Sequence, residues 1–262
     1  MTYRFLKGHG TENDFVVLPD PDGSVHGELS PERVRALCDR RAGIGADGVL
    51  RVVRDDQGRW FMDYRNADGS ISEMCGNGVR VFARYLAQFE GESFPMVIAT
   101  RDGDKHIDEV DGLIRVDMGP PRVFGTTVVG VPGHTWPAKH ISMGNPHAVA
   151  FVDDLADAGA LLAEPDHDTD VYPEGVNVEF VVRKGPRHVA MRVHERGSGE
   201  TRSCGTGACA VMVATAMADS AERDVAYRVD VPGGTLEIVW TAEDRILMTG
   251  PAVVIAEGST SL

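Results

Sequence analysis

Lysine, cysteine and long apolar segments are scarce in this sequence, and each scarcity excludes a class of protein. Few of the 26 basic residues are lysine, and the arginines form no concentrated block along the chain. The 40 acidic residues give a formal net charge of -14. An acidic surface of this kind repels nucleic acid and anionic membranes. We therefore expect neither nucleic acid nor a membrane as a partner.

No apolar run in the 262 residues approaches the ~18 residues that a membrane-spanning helix needs. The first residues, MTYRFLKGHG, also lack the apolar core of a secretory signal. Hydrophobic residues make up 42% of the chain, which is enough for an ordinary core. These features predict a cytoplasmic protein of one large domain or two modest ones.

The four cysteines are too few for a disulfide framework in a chain of this length. Cys204 and Cys209 are poorly spaced for zinc ligands, and Cys75 has no Cys or His close by, so we expect no metal site. Cys38 falls on the apolar face of a helix that begins at Ser30-Pro31. Because Cys209 lies inside an apolar helix, it too is expected in the core.

Cys75 and Cys204 share one local sequence pattern. In MCGNGVRVFARYLAQ and SCGTGACAVMVATAM the cysteine is followed by Gly-x-Gly and then by a helical pattern. The second helix is apolar on every side, which predicts a sheet wrapped around it. The first carries Arg80 and Arg84 four residues apart, which predicts one solvent-exposed face. Tight packing of a helix against a strand explains the glycines in both segments. It does not explain why a cysteine precedes them in both.

The repeated pattern extends beyond the cysteines. Three pairs of matching residues are separated by about half of the chain: Asn13 and Asn145 by 132 positions, Asp47 and Asn177 by 130, and Cys75 and Cys204 by 129. Matches in one order at nearly one spacing indicate an internal duplication, and this period is too long for a solenoid. We predict two similar lobes, residues 1–117 with 251–262 and residues 118–250, with MGPPRVFG as a linker.

Helix starts give the two cysteines a possible chemistry. The unpaired N–H groups and positive end of a helix can hold a carboxylate and stabilise a thiolate, lowering a thiol pKa from about 8.5 toward about 3.5–7.5. If the lobes face one another, one sulfur can remove a proton from a carbon and the other can return one to the opposite face. Helix N–H donors would stabilise the developing charge. Few lysines and no phosphate loop favour a mechanism without a cofactor over pyridoxal phosphate.

Several segments resemble the diaminopimelate epimerases over essentially the full length: KGHGTENDFVV, NADGS, MCGNGVR, NPHAV, GVNVEF and HERGSGETRSCGTGACA. The CGTG segment alone would not discriminate, since proline racemases have similar cysteine turns. The resemblance implies interconversion of LL- and meso-diaminopimelate without a cofactor, in lysine and peptidoglycan biosynthesis. It also implies an α+β fold of two pseudo-symmetric lobes, each a mostly antiparallel sheet or barrel around a central helix, with the active site in the cleft between them, and often a homodimer.

The same motifs imply roles for individual residues. Cys75 and Cys204 match the acid–base pair, and His147 lies near the reacting centre. Glu195 would pair with an amino group, and Arg196 would hold the distal carboxylate with two hydrogen bonds. The other implied substrate-binding residues are the positions after each cysteine and four asparagines: Gly76, Asn77, Gly205, Thr206, Asn13, Asn66, Asn145 and Asn177.

Some of these residues have simpler explanations. Asn66 can cap its own turn, and His147 can simply pack beneath a turn. Glu195 and Arg196 can form a surface ion pair. The chain also departs from the family at Gly48, where many members have Gln, so that a substrate contact is missing or is supplied from elsewhere. Thr11-Glu12, just before Asn13, also differs from the Leu-Gly or Leu-Gln that is commoner in the family.

Two other functions remain open at this stage. The first is a related isomerase acting on proline or a phenazine precursor. The Glu195-Arg196 pair argues against these substrates, because it favours a substrate with a distal charged amino-acid group. The second is a redox switch or a metal-binding protein, because redox sensors also place cysteines at helix starts.

Overall fold

The computed structural model describes residues 2–262, which divide into two compact units. Unit 1 comprises Met1–Val116 and Gly250–Leu262, and unit 2 comprises Asp117–Thr249. Among residues 2–262, no helix combines the length and the apolar character that crossing a membrane requires.

In the chain up to Asp117, a mixed sheet surrounds a helix. The elements are β1 (Tyr3–Gly10), β2 (Asn13–Pro19), α1 (Pro31–Cys38), β3 (Gly48–Arg54), β4 (Trp60–Asn66), α2 (Gly76–Tyr85) with a π-helical turn (Leu86–Glu90), β5 (Met96–Thr100), β6 (Gly103–Val110) and β7 (Leu113–Asp117). β3 lies parallel to β2 and antiparallel to β4. Ser30 caps α1, and Cys38 is buried on its inner face, as its spacing predicts.

The predicted solvent-exposed face of α2 is wrong. Arg80 has 0% exposure, and its guanidinium donates to the carbonyl oxygens of Gly76 at 3.2 Å and Pro251 at 3.3 Å and to Oδ1 of Asn77 at 2.9 Å. The Arg84 guanidinium donates to Glu109 and to the carbonyl oxygen of Gly112. Because a guanidinium has five N–H donors, polar acceptors packed around it can replace water.

Unit 2 is built in the same manner. Its elements are β8 (Arg122–Val131), β9 (His134–Ser142), β10 (Pro146–Phe151), a 3-10 turn (Leu155–Ala158), β11 (Asp166–His167), β12 (Asn177–Gly185), β13 (His188–Glu195), β14 (Gly199–Thr201), α3 (Gly205–Ala218), β15 (Ala226–Val231), β16 (Gly234–Trp240) and β17 (Ile246–Gly250). β12 lies parallel to β10 and antiparallel to β13. The strands β9, β10, β12, β15 and β16 contact α3, so the prediction of an apolar helix wrapped by sheet is confirmed.

The linker predicted at residues 118–125 is wrong in its second half. From Arg122 onward the chain forms β8, which pairs antiparallel with β9. Its register shifts between Val123 and Gly125, where Gly125 has φ 149, a conformation that other residues rarely adopt. The glycine therefore makes a bulge within a strand and does not end one.

The last strand, β18 (Val253–Thr260), returns to unit 1 and pairs antiparallel with β1. The registers of the two units also correspond. Phe15 of β2 lies opposite Gly48 of β3, and His147 of β10 lies opposite Asn177 of β12. Phe15 is thus the structural counterpart of His147. Gly48 is the counterpart of Asn177, so the match of Asp47 with Asn177 in the sequence is off by one residue.

Candidate active site

Cys75 is the N-cap residue of α2. Its backbone is extended, with φ -140 and ψ 119, and its sulfur accepts the N–H of Gly78 at 3.4 Å. Its carbonyl oxygen accepts the N–H of Val79 at 2.8 Å. The Cys-Gly-x-Gly segment therefore places a half-buried sulfur at the positive end of a helix, as the sequence predicts.

The Cys75 sulfur lies beside Asn13, which is hydrogen-bonded to a second asparagine, Asn77. The thiol lies 3.7 Å from Oδ1 of Asn13, and the same oxygen accepts from Nδ2 of Asn77 at 3.1 Å. Nδ2 of Asn13 donates to Asp47 at 2.8 Å. Asn77 is almost fully buried, at 1% exposure, and its other amide atom accepts from Arg80. We call Asn13, Asp47, Cys75 and Asn77 the Cys75 cluster.

Cys204 repeats this geometry at the start of α3. Its backbone has φ -115 and ψ 115, and its sulfur accepts the N–H of Gly207 at 3.4 Å. The sulfur also lies 3.5 Å from the hydroxyl of Thr206. In both units, therefore, the cysteine side chain satisfies an N–H group that the helix itself leaves unpaired.

The pKa of Cys204 moves in the opposite direction from the one the helix start predicts. Burial, and after it the carboxylates of Glu195 and Glu179, raises the pKa of Cys204 well above the ordinary value for a thiol. The Thr206 hydroxyl and the Gly207 N–H oppose this shift but do not overcome it. Burial and the neighbouring acids thus outweigh the hydrogen bonds from Thr206 and Gly207, and the pKa of Cys204 is raised where the helix start is expected to lower it.

A hydrogen-bonded chain of polar side chains lies beneath the start of α3. Nδ1 of His147 is 2.6 Å from Oε1 of Glu179, and Nε2 is 2.9 Å from Oδ1 of Asn145. Both His147 and Glu179 have 0% exposure, whereas Asn145 is half-buried. Burial raises the pKa of Glu179, although His147 partly offsets this. With Glu195 and Cys204, these residues form the Cys204 cluster.

Glu195 and Arg196 do not form the surface ion pair considered as an alternative. Glu195 accepts the Thr201 hydroxyl, and burial raises the pKa of its carboxyl despite hydrogen bonds from Thr201 and Cys204. Arg196 is exposed, and its Nη1 lies 3.3 Å from the carbonyl oxygen of Glu174. Glu195 therefore lies beside the thiol, and the Arg196 side chain extends toward solvent.

Asn177 and Asn66 make local hydrogen bonds in this structure. Nδ2 of Asn177 donates to the carbonyl oxygen of Pro146 at 2.9 Å, and its Oδ1 accepts the N–H of Arg196 at 3.0 Å. Asn66 donates from Nδ2 to the hydroxyl of Ser70 at 3.0 Å. Asn66 thus caps its own turn, the simpler explanation, while Asn177 fixes the backbone on which Arg196 is mounted.

Gly76, Gly205 and Thr206 occupy the first positions of α2 and α3. The two glycines are buried, and Thr206 is half-buried. Backbone N–H groups in the first turn of a helix have no partner within that helix, so these positions can donate to an anion.

Sequence reasoning missed Glu179, Asp47 and Arg80. A signal for Glu179 was present, because a lone acid within the apolar strand NVEFVV must find a partner when it is buried. Arg80 was noticed but assigned to solvent. Asp47 was used only to detect the repeat. Within the described part of the chain, no group of three His, Cys, Asp or Glu residues is arranged to hold a metal ion.

Comparison with known proteins identifies the relatives of the chain. The family model described as diaminopimelate epimerase matches residues 5–124 and 140–255. The chain belongs to the diaminopimelate epimerase family. It is 56% identical to a diaminopimelate epimerase of Streptomyces coelicolor, over 97% of this chain and 94% of the relative. It is 45% identical to that of Corynebacterium glutamicum, over 100% of this chain and 99% of the relative.

Solved structures outside the close relatives share the fold. A PhzF-family phenazine biosynthesis protein of Bacillus anthracis aligns with a TM-score of 0.74 at 17% identity, covering 100% of both chains. A hydroxyproline epimerase of Agrobacterium vitis aligns with a TM-score of 0.69 at 15% identity, covering 100% of this chain and 93% of the other. At these identities the likeness concerns the fold alone. The predicted α+β fold of two similar lobes is confirmed.

Gly48, where the resemblance to the family would place Gln in many members, has little free space around it. A Cβ atom at Gly48 would lie 2.6 Å from the carbonyl oxygen of Arg65 and 2.7 Å from the ring of Tyr64. Tyr64 itself packs edge-on against Phe15, with ring centroids 5.9 Å apart. The Tyr64 ring thus fills the space into which a larger side chain at position 48 would extend.

Proposed function

We propose that the chain converts LL-2,6-diaminopimelate to meso-diaminopimelate without a cofactor, with Cys75 and Cys204 as the two acid–base groups. The observation that carries the proposal is the duplicated helix cap. In each unit a cysteine sulfur accepts a helix N–H at 3.4 Å, so each sulfur is held at the positive end of a helix. As in its family, the product would serve lysine and peptidoglycan biosynthesis.

The reaction balances with two sulfurs and one carbon. One sulfur, as thiolate, removes the α-proton, and the electron pair of the C–H bond moves toward the adjacent carboxylate. The other sulfur, as thiol, donates its proton to the opposite face of the carbon, which inverts the configuration. The substrate keeps its proton count, and the two sulfurs exchange protonation states. The scheme requires both sulfurs to flank one carbon.

Charge stabilisation comes from the helix starts. As electron density moves onto the reacting carboxylate, N–H groups that are already oriented strengthen their hydrogen bonds without reorganising. We assign this role to the first residues after each cysteine, namely Gly76, Asn77, Gly205 and Thr206. The raised pKa of Cys204 supports its resting as a thiol, ready to donate a proton.

Further side chains would hold the rest of the substrate. The exposed guanidinium of Arg196 suits a distal carboxylate, which it can bind through two N–H groups. Glu195 suits an ammonium group of the substrate, and His147 is proposed to lie near the reacting carbon. The asparagines proposed to bind substrate are Asn13, Asn66, Asn145 and Asn177, of which Asn66 must release Ser70 to do so.

We also propose a cytoplasmic homodimer, on the basis of the family resemblance. One chain has a mass of 28.3 kDa, so light scattering on the purified protein should give twice that value. A mass equal to one chain across a broad concentration range would contradict the dimer while leaving the catalytic proposal intact.

The catalytic test is hydrogen exchange. The purified protein, with no cofactor added, should incorporate deuterium from solvent at the α-carbon of diaminopimelate and interconvert its LL and meso forms. Cys75→Ala and Cys204→Ala should abolish epimerisation, while Cys38→Ala, which alters a buried thiol of α1, should retain it. Wild-type turnover rates in either of the first two variants would refute the two-sulfur mechanism.

A substrate panel separates this proposal from related isomerases. Proline and 4-hydroxyproline lack a second amino-acid group, so nothing would engage Arg196 and they should not be turned over. Turnover of proline at a rate comparable to that of diaminopimelate would contradict the assignment of Arg196.

A further inference from the structure

The two cysteine clusters rest on different supports. Leu50 and Glu179 occupy corresponding positions, each two residues beyond the corresponding pair Gly48 and Asn177. A Cβ atom on Gly78 would lie 3.2 Å from Cδ2 of Leu50, and one on Gly207 would lie 2.6 Å from Oε1 of Glu179. The start of α2 thus packs on an apolar side chain, and the start of α3 packs on a carboxyl group.

A second pair of corresponding positions, Phe15 and His147, also has an apolar residue in unit 1 and a polar one in unit 2. The ring of Phe15 lies 3.5 Å from the Cβ position of Gly78 and corresponds to His147 in unit 2. Unit 1 therefore demonstrates that Phe and Leu can support a Cys-Gly-x-Gly helix start. Burying a His–Glu pair instead costs desolvation free energy, and one oxygen of Glu179 has no hydrogen-bond partner among the described residues. Support of the helix alone does not account for the polar pair.

The hydrogen bonds of the pair lead to Asn145. Oδ1 of Asn145 lies 2.9 Å from Nε2 of His147, so this ring nitrogen carries the proton and donates it. If the ring is neutral, Nδ1 is then an acceptor, and a protonated Glu179 carboxyl at 2.6 Å would be its donor. A neutral carboxyl also leaves only a carbonyl oxygen unpaired, and the raised pKa of Glu179 agrees with this state.

This arrangement of hydrogen bonds leaves the Nδ2 group of Asn145 available to a ligand. Within residues 2–262, no oxygen accepts from this group, whereas Nδ2 of Asn13, its counterpart, donates to Asp47. Because His147 occupies the oxygen of the Asn145 amide, the amide presents two N–H donors. An amide N–H group that is not otherwise engaged can donate to a carboxylate oxygen.

We propose that Glu179 is a positioning residue, which holds His147 in the tautomer that donates to Asn145 and so turns the Asn145 amide N–H groups toward a carboxylate of the substrate. This inference rests on the proposed function, since it assigns Asn145 to a diaminopimelate carboxylate. Glu179 acts through His147 and touches no substrate itself.

The test uses three variants of the intact chain. Glu179→Gln keeps a donor toward Nδ1 and should preserve the tautomer, so its KM should stay within about 3-fold of wild type. Glu179→Leu removes the donor and allows the ring to change tautomer or rotate. Loss of one aligned hydrogen bond should raise KM for diaminopimelate by roughly 10-fold or more, with a smaller change in kcat.

The third variant copies unit 1. His147→Phe with Glu179→Leu places in unit 2 the pair that supports α2, so it should restore packing and the melting temperature relative to Glu179→Leu. Its KM should nevertheless remain raised, because nothing then fixes the Asn145 amide. Calorimetric binding of meso-diaminopimelate to each variant should follow the same order as KM.

The outcomes separate this inference from the proposed function. If wild-type protein epimerises diaminopimelate while the folded Glu179→Leu and double variants keep its KM and its affinity, Glu179 is only a packing residue and the inference is wrong. A Glu179→Gln variant as impaired as Glu179→Leu would also overturn it, since the tautomer would not be the decisive feature. If wild-type protein neither binds nor epimerises diaminopimelate, the proposed function fails instead.

Discussion

The two sulfurs share a helix cap but differ in their surroundings. Cys75 is half-buried, and its sulfur lies 3.7 Å from Oδ1 of Asn13, whereas Cys204 is 6% exposed and lies near the acids Glu179 and Glu195. In a mechanism with one base and one acid, such a difference decides which of the two sulfurs carries a proton before substrate binds. The structure favours Cys204 as the protonated partner, because burial, the largest cause of its raised pKa, disfavours the thiolate.

Selective alkylation checks this difference. Iodoacetamide reacts with thiolates, so at pH 7.5 the native protein should be modified at Cys75 well before Cys204. Cys38 provides an internal control, since burial raises its pKa to about 11 and it should remain unmodified. Peptide mass spectrometry over a time course gives the order. Faster labelling of Cys204 than of Cys75 would contradict the assignment.

At the scale of single elements, glycine positions in strands show how closely neighbouring strands approach. Gly48 in β3 pairs with Asn66 in β4, and the adjacent backbone of Arg65 and the Tyr64 ring leave no room for a side chain. Since a backbone oxygen cannot move aside as the end of a flexible side chain can, a substitution must shift β3 relative to β4.

Gly48→Ala is therefore expected to reduce the free energy of unfolding by about 1–3 kcal/mol. Gly185→Ala in β12 is the matched control, because a Cβ atom there meets nothing within 4 Å. That variant should change the free energy by less than about 0.5 kcal/mol. Urea titration measures both. Equal stability of the two alanine variants would show that the β3–β4 contact can relax.

At the scale of the whole molecule, buried ion pairs make stability depend on pH. Asp63 is 4% exposed, and it contacts Arg65 at 2.9 Å and Arg101 at 2.5 Å. Burial alone would raise the pKa of Asp63, but the hydrogen bonds from Arg101 and Arg65 outweigh it and hold the pKa below its usual value. Asp14 behaves similarly, since Arg40 and Lys7 overcome its desolvation and lower its pKa.

These two carboxyl groups should stabilise the protein fully above their unfolded pKa of about 3.9. Because their folded pKa values are lower, the contribution is lost as pH falls below about 4 toward the folded values. Asp63→Asn should cost about 3–5 kcal/mol at pH 7, since it breaks a buried pair. The difference from wild type should shrink at pH 3 in urea titrations. A difference independent of pH would show that Asp63 contributes through packing alone.

The sequence alone determined the features that depend on neighbouring residues. Local patterns show the helix starts after Cys75 and Cys204, the Ser30 cap and the apolar character of α3, because capping and periodicity act over a few residues. The duplication is visible because such patterns recur at a spacing of 129 to 132 positions. Tertiary structure decided the rest: the burial of Arg80, the strand β8 in place of a linker, Tyr64 against Gly48, and the pairing of Glu179 with His147. Each of these depends on groups distant in sequence, whose contacts exist only once the sheets have formed around their helices.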